Sequence, residues 1–236
     1  MKQNNLSSPS KSYKKERVSQ GAVLSKEEII RALSNRDIVV EPILDHRQIN
    51  HVSIDLRLDT FFGEFRTARK SHIDPAKIKE DYRDYLEFIV IEPMYDVYYL
   101  QPKQFVLAQT FEYIALPNDV TGNLEGKSSV ARGGLTVQAA AGLVDPGFTG
   151  HLVFELLNAG QMPLKLCPLM KIAKISFQRC TKTKGYKGTY RMQVKIRQPE
   201  NDNDVASIDE VKTSRSALAL KKQELWETNL RASYSG

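Results

Sequence analysis

The pattern of apolar and polar positions along the chain predicts one short helix followed by many short strands. Residues 25–28, SKEE, have the form of a capping box, and Ile29, Ile30 and Leu33 follow at helical spacing. Further along, runs rich in β-branched and aromatic residues are separated by Pro, Gly, Asn and Asp. These runs are residues 38–40, 53–58, 88–92, 97–100 and 105–109. Because no amphipathic helices lie between them, we expect a mainly β sandwich or barrel rather than a parallel sheet.

Three segments depart from this strand pattern. Residues 1–24 are rich in Ser, Lys, Asn and Gln, so we expect a disordered basic arm. Residues 73–86 are highly charged and predict a helical or irregular insertion. After a possible strand at residues 190–196, residues 198–236 predict a polar linker and a C-terminal helix. The sequence therefore predicts one β domain over residues 25–197, flanked by the arm and this tail.

The predicted C-terminal helix has only a thin apolar stripe. It opens with a second capping box, SIDE at residues 207–210, and Val211, Leu218 and Leu225 then recur every seventh position. A stripe of this width favours a helix that docks on its own domain or on a neighbouring subunit, and a partner-binding tail is the alternative.

The composition is that of a globular protein. Of the 236 residues, 41% are hydrophobic, which is enough to bury a sizeable core. The sequence contains no apolar run of about 18 residues and no apolar centre of a secretory signal near Met1. The two cysteines, Cys167 and Cys180, are too far apart for a Cys-x-x-Cys site and indicate reduced thiols. We therefore expect a cytoplasmic protein without membrane contact.

The net charge of +6 is concentrated at one end of the chain. Residues 1–26 contain six Lys or Arg residues and a single acid, Glu16, so most of the excess lies there. Such an arm is most often solvated, and weak contact with polyanions is the alternative. Because the sequence has no helix-turn-helix or zinc-finger pattern, we expect no specific nucleic-acid partner.

Residues 126–132, GKSSVAR, combine the residue types that bind an anion. A glycine lets backbone amides approach a phosphate, the Ser128 and Ser129 hydroxyls can donate, and Lys127 and Arg132 supply positive charge. The spacing is not that of a Walker A loop. Basic serine-rich turns are common, so this segment alone is a weak indication of a phosphate site.

Glu155 is the strongest candidate for chemistry. Alternation along residues 150–158 places Leu152, Phe154 and Leu156 on one strand face and Val153 and Glu155 on the other. A carboxylate among apolar neighbours is partly desolvated, which suits proton transfer. The alternative is an edge glutamate that pairs with Lys or Arg. Asp145, upstream of this strand, precedes Pro146 and Gly147 and by itself indicates only a turn.

These residues fall into a pattern that resembles a known family. Residues 126–132 read GKSSVAR, residues 141–150 read AGLVDPGFTG and residues 155–158 read ELLN. In this order and spacing they resemble the dCTP deaminases of the dUTPase superfamily, and SIDLRL at residues 53–58 resembles that family's first motif. The resemblance implies a dUTPase-like distorted jelly roll or β-barrel with short helices.

The resemblance also implies a reaction: hydrolytic deamination of dCTP to dUTP and ammonia, which supplies dUTP for dTMP synthesis. It makes Glu155 the acid–base, with Ser128 and the Ala141 carbonyl positioning the attacking water and Arg132 holding Glu155 electrostatically. The substrate-binding residues that it implies are Lys127, Ser128, Ser129, Arg132, Asp145, Val153, Tyr186, Lys187, Tyr190 and Gln193.

A zinc mechanism is not expected, because the His-x-Glu and Pro-Cys-x-x-Cys signature of zinc deaminases is absent from the sequence. The four histidines and two cysteines show no ligand spacing. The resemblance implies instead that Mg²⁺ enters only on the nucleotide triphosphate. It also implies a homotrimer whose active sites are shared between subunits.

Several positions leave alternatives open. Asp145 matches the aspartate that activates water in dUTPases, so a bifunctional enzyme that forms dUMP, or a dUTPase, is an alternative. Phe148 stands where a pure dUTPase typically has tyrosine, which favours the deaminase. Ala140 replaces a threonine linked to dTTP regulation, and Thr189 replaces a lysine, with Lys187 as the candidate substitute. A nucleotide-sensing paralogue without catalysis is the further alternative.

Overall fold

The structure is a computed structural model, in which residues 21–66, 72–73, 85–92, 96–138 and 142–188 are described. The chain divides into two units. The first comprises Met1–Phe65 and Glu87–Arg197, and the second comprises Arg66–Leu86 and Gln198–Gly236. The first 20 residues of the predicted arm, most of the charged insertion, the possible strand at residues 190–196 and the predicted C-terminal helix lie outside the described residues.

The second unit is described at only a few positions. There the Arg66 amide donates to the Tyr85 carbonyl at 2.6 Å, and the Tyr85 hydroxyl donates to the His72 carbonyl at 3.0 Å. All of the elements that follow belong to the first unit, except that the first residue of its third strand is assigned to the second.

The predicted helix and its capping box are confirmed. Helix α1 spans Lys26–Ser34. The Ser25 amide donates to the Glu28 carboxylate at 2.8 Å, and the Glu28 amide donates to the Ser25 hydroxyl at 3.4 Å. Ile29 and Ala32 are the buried residues of the helix, whereas Ile30 is 43% exposed. The stripe that contacts the core is therefore shifted relative to the predicted one: Leu33 packs against the core as expected, but Ala32 takes the place of Ile30.

Strands make up nearly half of the described chain, and each predicted run overlaps one of them. The strands are β1 (Val39–Glu41), β2 (Ser53–Phe65), β3 (Leu86–Val90), β4 (Tyr98–Leu100), β5 (Phe105–Ala115), β6 (Val120–Gly126), β7 (Leu135–Thr136), β8 (Leu143–Val144), β9 (Thr149–Asn158), β10 (Leu164–Leu166) and β11 (Lys171–Arg179). A 3₁₀ turn, His46–Gln48, precedes β2, and a single helical turn, α2, spans Ser128–Ala131 between β6 and β7. The mainly β class is confirmed.

Nine of these strands form one curled sheet in the order β7-β9-β5-β2-β11-β6-β8, with β1 on β5 and β3 on β2. The two remaining strands, β4 and β10, pair with each other. The eight pairings whose register is described are antiparallel. The register of β5 shifts between Gln109 and Tyr113 where it pairs with β9, and the side chains of Thr110 and Glu112 within this irregular stretch are fully buried.

The first half of β2, residues 53–58, is buried on both faces. Ile54, Leu56 and Leu58 are fully buried in the apolar core, together with residues such as Phe154 and Phe177. The alternate positions carry polar side chains that are buried as well. These are Ser53, Asp55 and Arg57, exposed by 7%, 4% and 7%. Burial of this polar face requires partners from elsewhere in the chain.

In the described part of the chain, no helix is long and apolar enough to cross a membrane.

Candidate functional site

Glu155 lies on β9, on the half-buried face of that strand. Burial alternates at every position of β9, with Leu152, Phe154 and Leu156 buried and Glu155 intermediate, so the predicted alternation is confirmed. Glu155 is directly opposite Leu107 of β5. Its flanking positions on the same face are Val153 and Leu157. The neighbours of Glu155 along its own strand and directly opposite it are therefore apolar, and its side chain is only half-buried.

A polar pair lies beside Glu155 on the same face of the sheet. Gln109 is opposite Val153, is only 5% exposed, and donates from its amide to the Asp59 carboxylate at 2.6 Å. Because directly opposite residues in an antiparallel pair share a face, Gln109 and Val153 lie next to Glu155 on the same surface of the sheet.

The GKSSVAR segment forms the end of β6 and the turn α2. Lys127 precedes the helical turn in an extended conformation, and Ser128, Ser129 and Arg132 are exposed. After α2 the chain continues into β7, whose Thr136 pairs with Leu157 of β9. The segment that carries the predicted anion-binding residues therefore leads directly into the strand beside that of Glu155.

Lys127 is held by a buried carboxylate. Its ammonium lies 2.7 Å from Oδ1 of Asp55, and the Lys171 ammonium lies 3.6 Å from Oδ2 of the same carboxylate. The Asn50 amide donates to Oδ1 at 2.9 Å. Both lysine side chains keep about a quarter of their surface exposed, 26% for Lys127 and 27% for Lys171. We call Asp55, Lys127 and Lys171 the lysine cluster.

A second polar cluster lies deeper, between β2 and β5. Glu112 has no exposed surface and accepts from the Arg57 amide at 2.8 Å, the Gln48 side-chain amide at 2.8 Å and the Arg57 guanidinium at 3.3 Å. The Arg57 guanidinium also donates to the Gln48 side-chain oxygen. Burial raises the pKa of the Glu112 carboxyl, and the hydrogen bonds from Arg57 oppose that rise. We call Gln48, Arg57 and Glu112 the arginine cluster.

The Asp-Pro-Gly turn packs on the basic loop that follows β11. The Phe148 amide donates to the Asp145 carbonyl at 3.1 Å, and the Tyr186 amide donates to the Pro146 carbonyl at 2.7 Å. Gly147, at φ +83°, approaches the loop so closely that a Cβ there would lie 2.8 Å from the Tyr186 amide nitrogen. The rings of Phe148 and Tyr186 are 6.2 Å apart. The structure thus brings together Asp145, which is exposed, and Tyr186, with the exposed Lys187 next in sequence.

The predicted site residues therefore fall into three places: Glu155 with Val153 on β9, the GKSSVAR segment at α2, and Asp145 with Tyr186 and Lys187 at the turn. Ala141, Tyr190 and Gln193 lie outside the described residues. A groove of about 420 Å³ on β2, β6, β8 and β11 is lined by Glu125, Leu143 and Lys174, among others, and Glu155 is not one of its lining residues.

Sequence reasoning missed both polar clusters. Asp55 and Arg57 stand in the SIDLRL segment, for which the sequence gives only the family resemblance, and no sequence pattern singles out Lys171 or Glu112. The one local signal was the strict alternation of apolar residues with Ser53, Asp55 and Arg57, since charged residues at two successive outward positions of a strand need partners when that face is covered.

Chemically, the arrangement offers a half-buried carboxylate for proton transfer and exposed hydroxyl, guanidinium and ammonium groups for an anion. Among residues 21–66, 72–73, 85–92, 96–138 and 142–188, no group of three or more His, Cys, Asp or Glu side chains is placed to hold a metal ion.

Residues 23–180 match the model of a protein family described as dCTP deaminase-like. The chain is 43% identical over 157 residues to a "dCTP deaminase, dUMP-forming" of Acidothermus cellulolyticus, covering 66% of this chain and 80% of that protein. It is 38% identical over 160 residues to a protein of the same name from Methanobrevibacter smithii, covering 68% of this chain and 81% of the relative.

The fold is similar to the crystal structure of 2'-deoxycytidine 5'-triphosphate deaminase from Agrobacterium tumefaciens. The TM-score is 0.54 at 20% sequence identity, and the likeness covers 68% of this chain and 49% of that one. At this identity the likeness concerns the fold alone, and it agrees with the expected dUTPase-like β architecture.

Proposed function

This chain belongs to the dCTP deaminase-like family, and from that premise we propose that it hydrolyses dCTP at C4 of the cytosine, releasing ammonia and forming dUTP. The observation that carries the proposal is the position of Glu155, a half-buried carboxylate between Val153 and Leu157 on β9. A carboxylate in that setting can take a proton from water and return it to the substrate.

The proposed mechanism uses Glu155 as the sole acid–base. Glu155 removes a proton from a water molecule held by the Ser128 hydroxyl and the Ala141 carbonyl, and the hydroxide adds to C4. The carboxyl group then gives its proton to the ring nitrogen. Glu155 next takes the proton of the C4 hydroxyl and passes it to the amino group. The C4–N bond then breaks, which expels ammonia and leaves the uracil carbonyl. Arg132 stabilises the charge on Glu155 during these transfers.

The triphosphate is bound, in this proposal, by the exposed Ser128 and Ser129 hydroxyls, by Lys127 and by Arg132, and Mg²⁺ arrives on the triphosphate as part of the substrate. Asp145 and Val153 contact the deoxyribose and the base. Tyr186, Lys187, Tyr190 and Gln193 close over the nucleotide.

A second product is a specific candidate. The relatives from Acidothermus and Methanobrevibacter are both named as dUMP-forming, and Asp145 is exposed at a turn that packs on the Tyr186 loop. We therefore propose, as the second candidate, that Asp145 activates a further water molecule for attack on the α-phosphate. Pyrophosphate and dUMP are then released from the same active site.

The test is product analysis by ion-exchange chromatography after incubation with Mg²⁺ and dCTP, dUTP or dCMP. Wild-type protein is compared with Glu155→Gln and with Glu125→Gln, which makes the same chemical change on an exposed residue of β6. We expect Glu155→Gln to lower kcat by about 10²- to 10⁴-fold and Glu125→Gln to change it little.

The products decide between the candidates. Conversion of dCTP to dUTP alone supports a deaminase, and dUMP with pyrophosphate supports the bifunctional enzyme, in which Asp145→Asn should shift the products toward dUTP. Tight binding of dCTP without turnover would replace both with a nucleotide-sensing role. Equal losses in the two glutamine variants would remove Glu155 from the mechanism.

We also propose a cytoplasmic homotrimer with shared active sites. In support, Glu155 and the Ser128–Arg132 segment lie on separate elements, and the apolar side chain of Leu143 on the terminal strand β8 is 69% exposed. If the sites are shared, mixing inactive Glu155→Gln and Arg132→Ala subunits restores part of the activity, because some sites then receive both native residues. No recovery after subunit exchange would contradict sharing.

A further inference from the structure

The lysine cluster contains more positive than negative charge. The single Asp55 carboxylate faces the ammonium groups of Lys127 and Lys171, and it also accepts from Asn50. One carboxylate neutralises one of the two ammonium groups, so a net positive charge remains at a partly buried position. By contrast, Lys174 on the same strand as Lys171 is matched one to one by Glu125 at 3.1 Å. The excess is therefore local to the lysine cluster.

This excess charge lies beside the predicted anion-binding segment. The Lys127 amide donates to the Ile172 carbonyl at 2.9 Å, and Gly126 pairs with Ala173. The start of β11, where Lys171 stands, is thus fixed next to the end of β6, where the GKSSVAR segment begins. Neither the anion-binding pattern nor the family resemblance pointed to Lys171.

The carboxylate also limits the freedom of both lysines. A lysine ammonium on a flexible stem loses side-chain entropy when it binds an anion, and a partner that already orders it lowers that cost. Asp55 is 4% exposed and lies in the middle of the sheet, on β2, so it is a fixed anchor. Each lysine retains enough exposed surface for contact with a ligand.

We propose that Lys171 is a second phosphate-binding cation of the nucleotide site, and that Asp55 is the positioning residue that holds Lys171 beside Lys127. This inference rests on the proposed function, because it assigns both residues to the triphosphate end of the substrate. Asp55 acts through the lysines and does not touch the nucleotide.

The test compares Lys171→Met with Lys174→Met. Both variants remove one ammonium from β11. Lys174 lies opposite Asp55 in the sheet register, but its ammonium pairs with Glu125, whereas the Lys171 ammonium pairs with Asp55. We expect Lys171→Met to raise KM for Mg²⁺-dCTP about tenfold, as for loss of one charged hydrogen bond, with kcat within about twofold of wild type. Lys174→Met should leave both constants nearly unchanged. Lys171→Arg should recover most of the affinity.

Two further measurements separate a phosphate contact from a structural role. The loss of affinity in Lys171→Met should be largest for dCTP and smallest for dCMP. The affinity of Lys171→Met for dCTP should also depend less on salt concentration than that of the wild type. Asp55→Asn should raise KM at least as much as Lys171→Met, because both lysines lose their anchor. If Asp55→Asn does not fold, as judged by its thermal transition, the Lys171 variants carry the test.

The inference is wrong if Lys171→Met and Lys174→Met shift KM equally, or if neither shifts it while the wild-type protein turns over dCTP. Absence of turnover in the wild-type protein is instead a failure of the proposed function. In that event, calorimetric titration with Mg²⁺-dCTP and with inorganic triphosphate compares wild-type and Lys171→Met directly. Equal affinities, or no binding to either protein, then overturn the Lys171 assignment.

Discussion

The lysine cluster and the arginine cluster begin on the same face of β2, at Asp55 and Arg57. They differ in how far their side chains are buried and in whether their charges balance. In the arginine cluster, Glu112 and Arg57 have 0% and 8% of their side chains exposed, and the charges match one to one. In the lysine cluster, both lysines are about a quarter exposed and outnumber the carboxylate. Two residues of spacing along one strand therefore separate a sealed polar contact from an open one.

The difference shows how one strand can serve both structure and binding. A fully buried pair with all its hydrogen bonds made has no capacity left for a ligand, and removing one partner leaves an unpaired buried charge. A half-buried cluster with unequal charge can exchange solvent for an anion. We infer that the arginine cluster fixes the register between β2 and β5, whereas the lysine cluster supports the nucleotide site.

The largest expected effect comes from opening the sealed cluster. Glu112→Ala removes the acceptor of the Arg57 amide and guanidinium, so we expect the free energy of unfolding to fall by about 3–5 kcal/mol. Urea denaturation followed by circular dichroism measures this change. Glu112→Gln is the control, since it keeps the shape and some of the hydrogen bonds and should lose less. Losses below about 1 kcal/mol in both variants would mean that the cluster does not stabilise the fold.

A smaller effect is expected from pH. Because burial raises the pKa of Glu112 in the folded protein above its ordinary value of 4.5, the folded state holds this proton more tightly than the unfolded chain does. The contribution of this group is fully present below pH 4.5 and is lost as pH rises through the folded pKa.

The measurement is the difference in unfolding free energy between wild type and Glu112→Gln across this range. As pH rises from 4.5, the wild type should lose stability relative to Glu112→Gln. The slope should be at most about 1.4 kcal/mol per pH unit, the value for one proton. A difference that changes in favour of the wild type as pH rises would show that the hydrogen bonds from Arg57 outweigh burial.

The smallest effect is expected at the exposed pair Lys174–Glu125, which lies on the same face as the lysine cluster. Its side chains are 42% and 53% exposed, so water and salt screen the interaction. Lys174→Met and Glu125→Gln should each change the free energy of unfolding by less than about 1 kcal/mol. A larger loss in the same urea titrations would contradict the idea that burial makes the arginine cluster stabilise the fold more than the exposed Lys174–Glu125 pair does.

Local pattern predicted much of this molecule. The capping box at residues 25–28, the overlap of the predicted runs with β1 to β5, and the outward position of Glu155 all follow from spacing within a few residues. The sequence pattern does not predict strands β6, β7, β8, β10 and β11. β6 contains Gly122, Asn123 and Gly126, residue types that disfavour strands, and it forms a strand because β11 and β8 pair with it on either side.

The sequence by itself determined the mainly β class, the motif that places this chain in its family, and the face on which Glu155 stands, because each depends on the order of neighbouring residues. Only the tertiary structure decided which charges meet. Lys127 and Asp55 are 72 positions apart, and Arg57 and Glu112 are 55 apart. Contacts over such separations arise from sheet order and register, which hydrophobic alternation along a single strand does not encode.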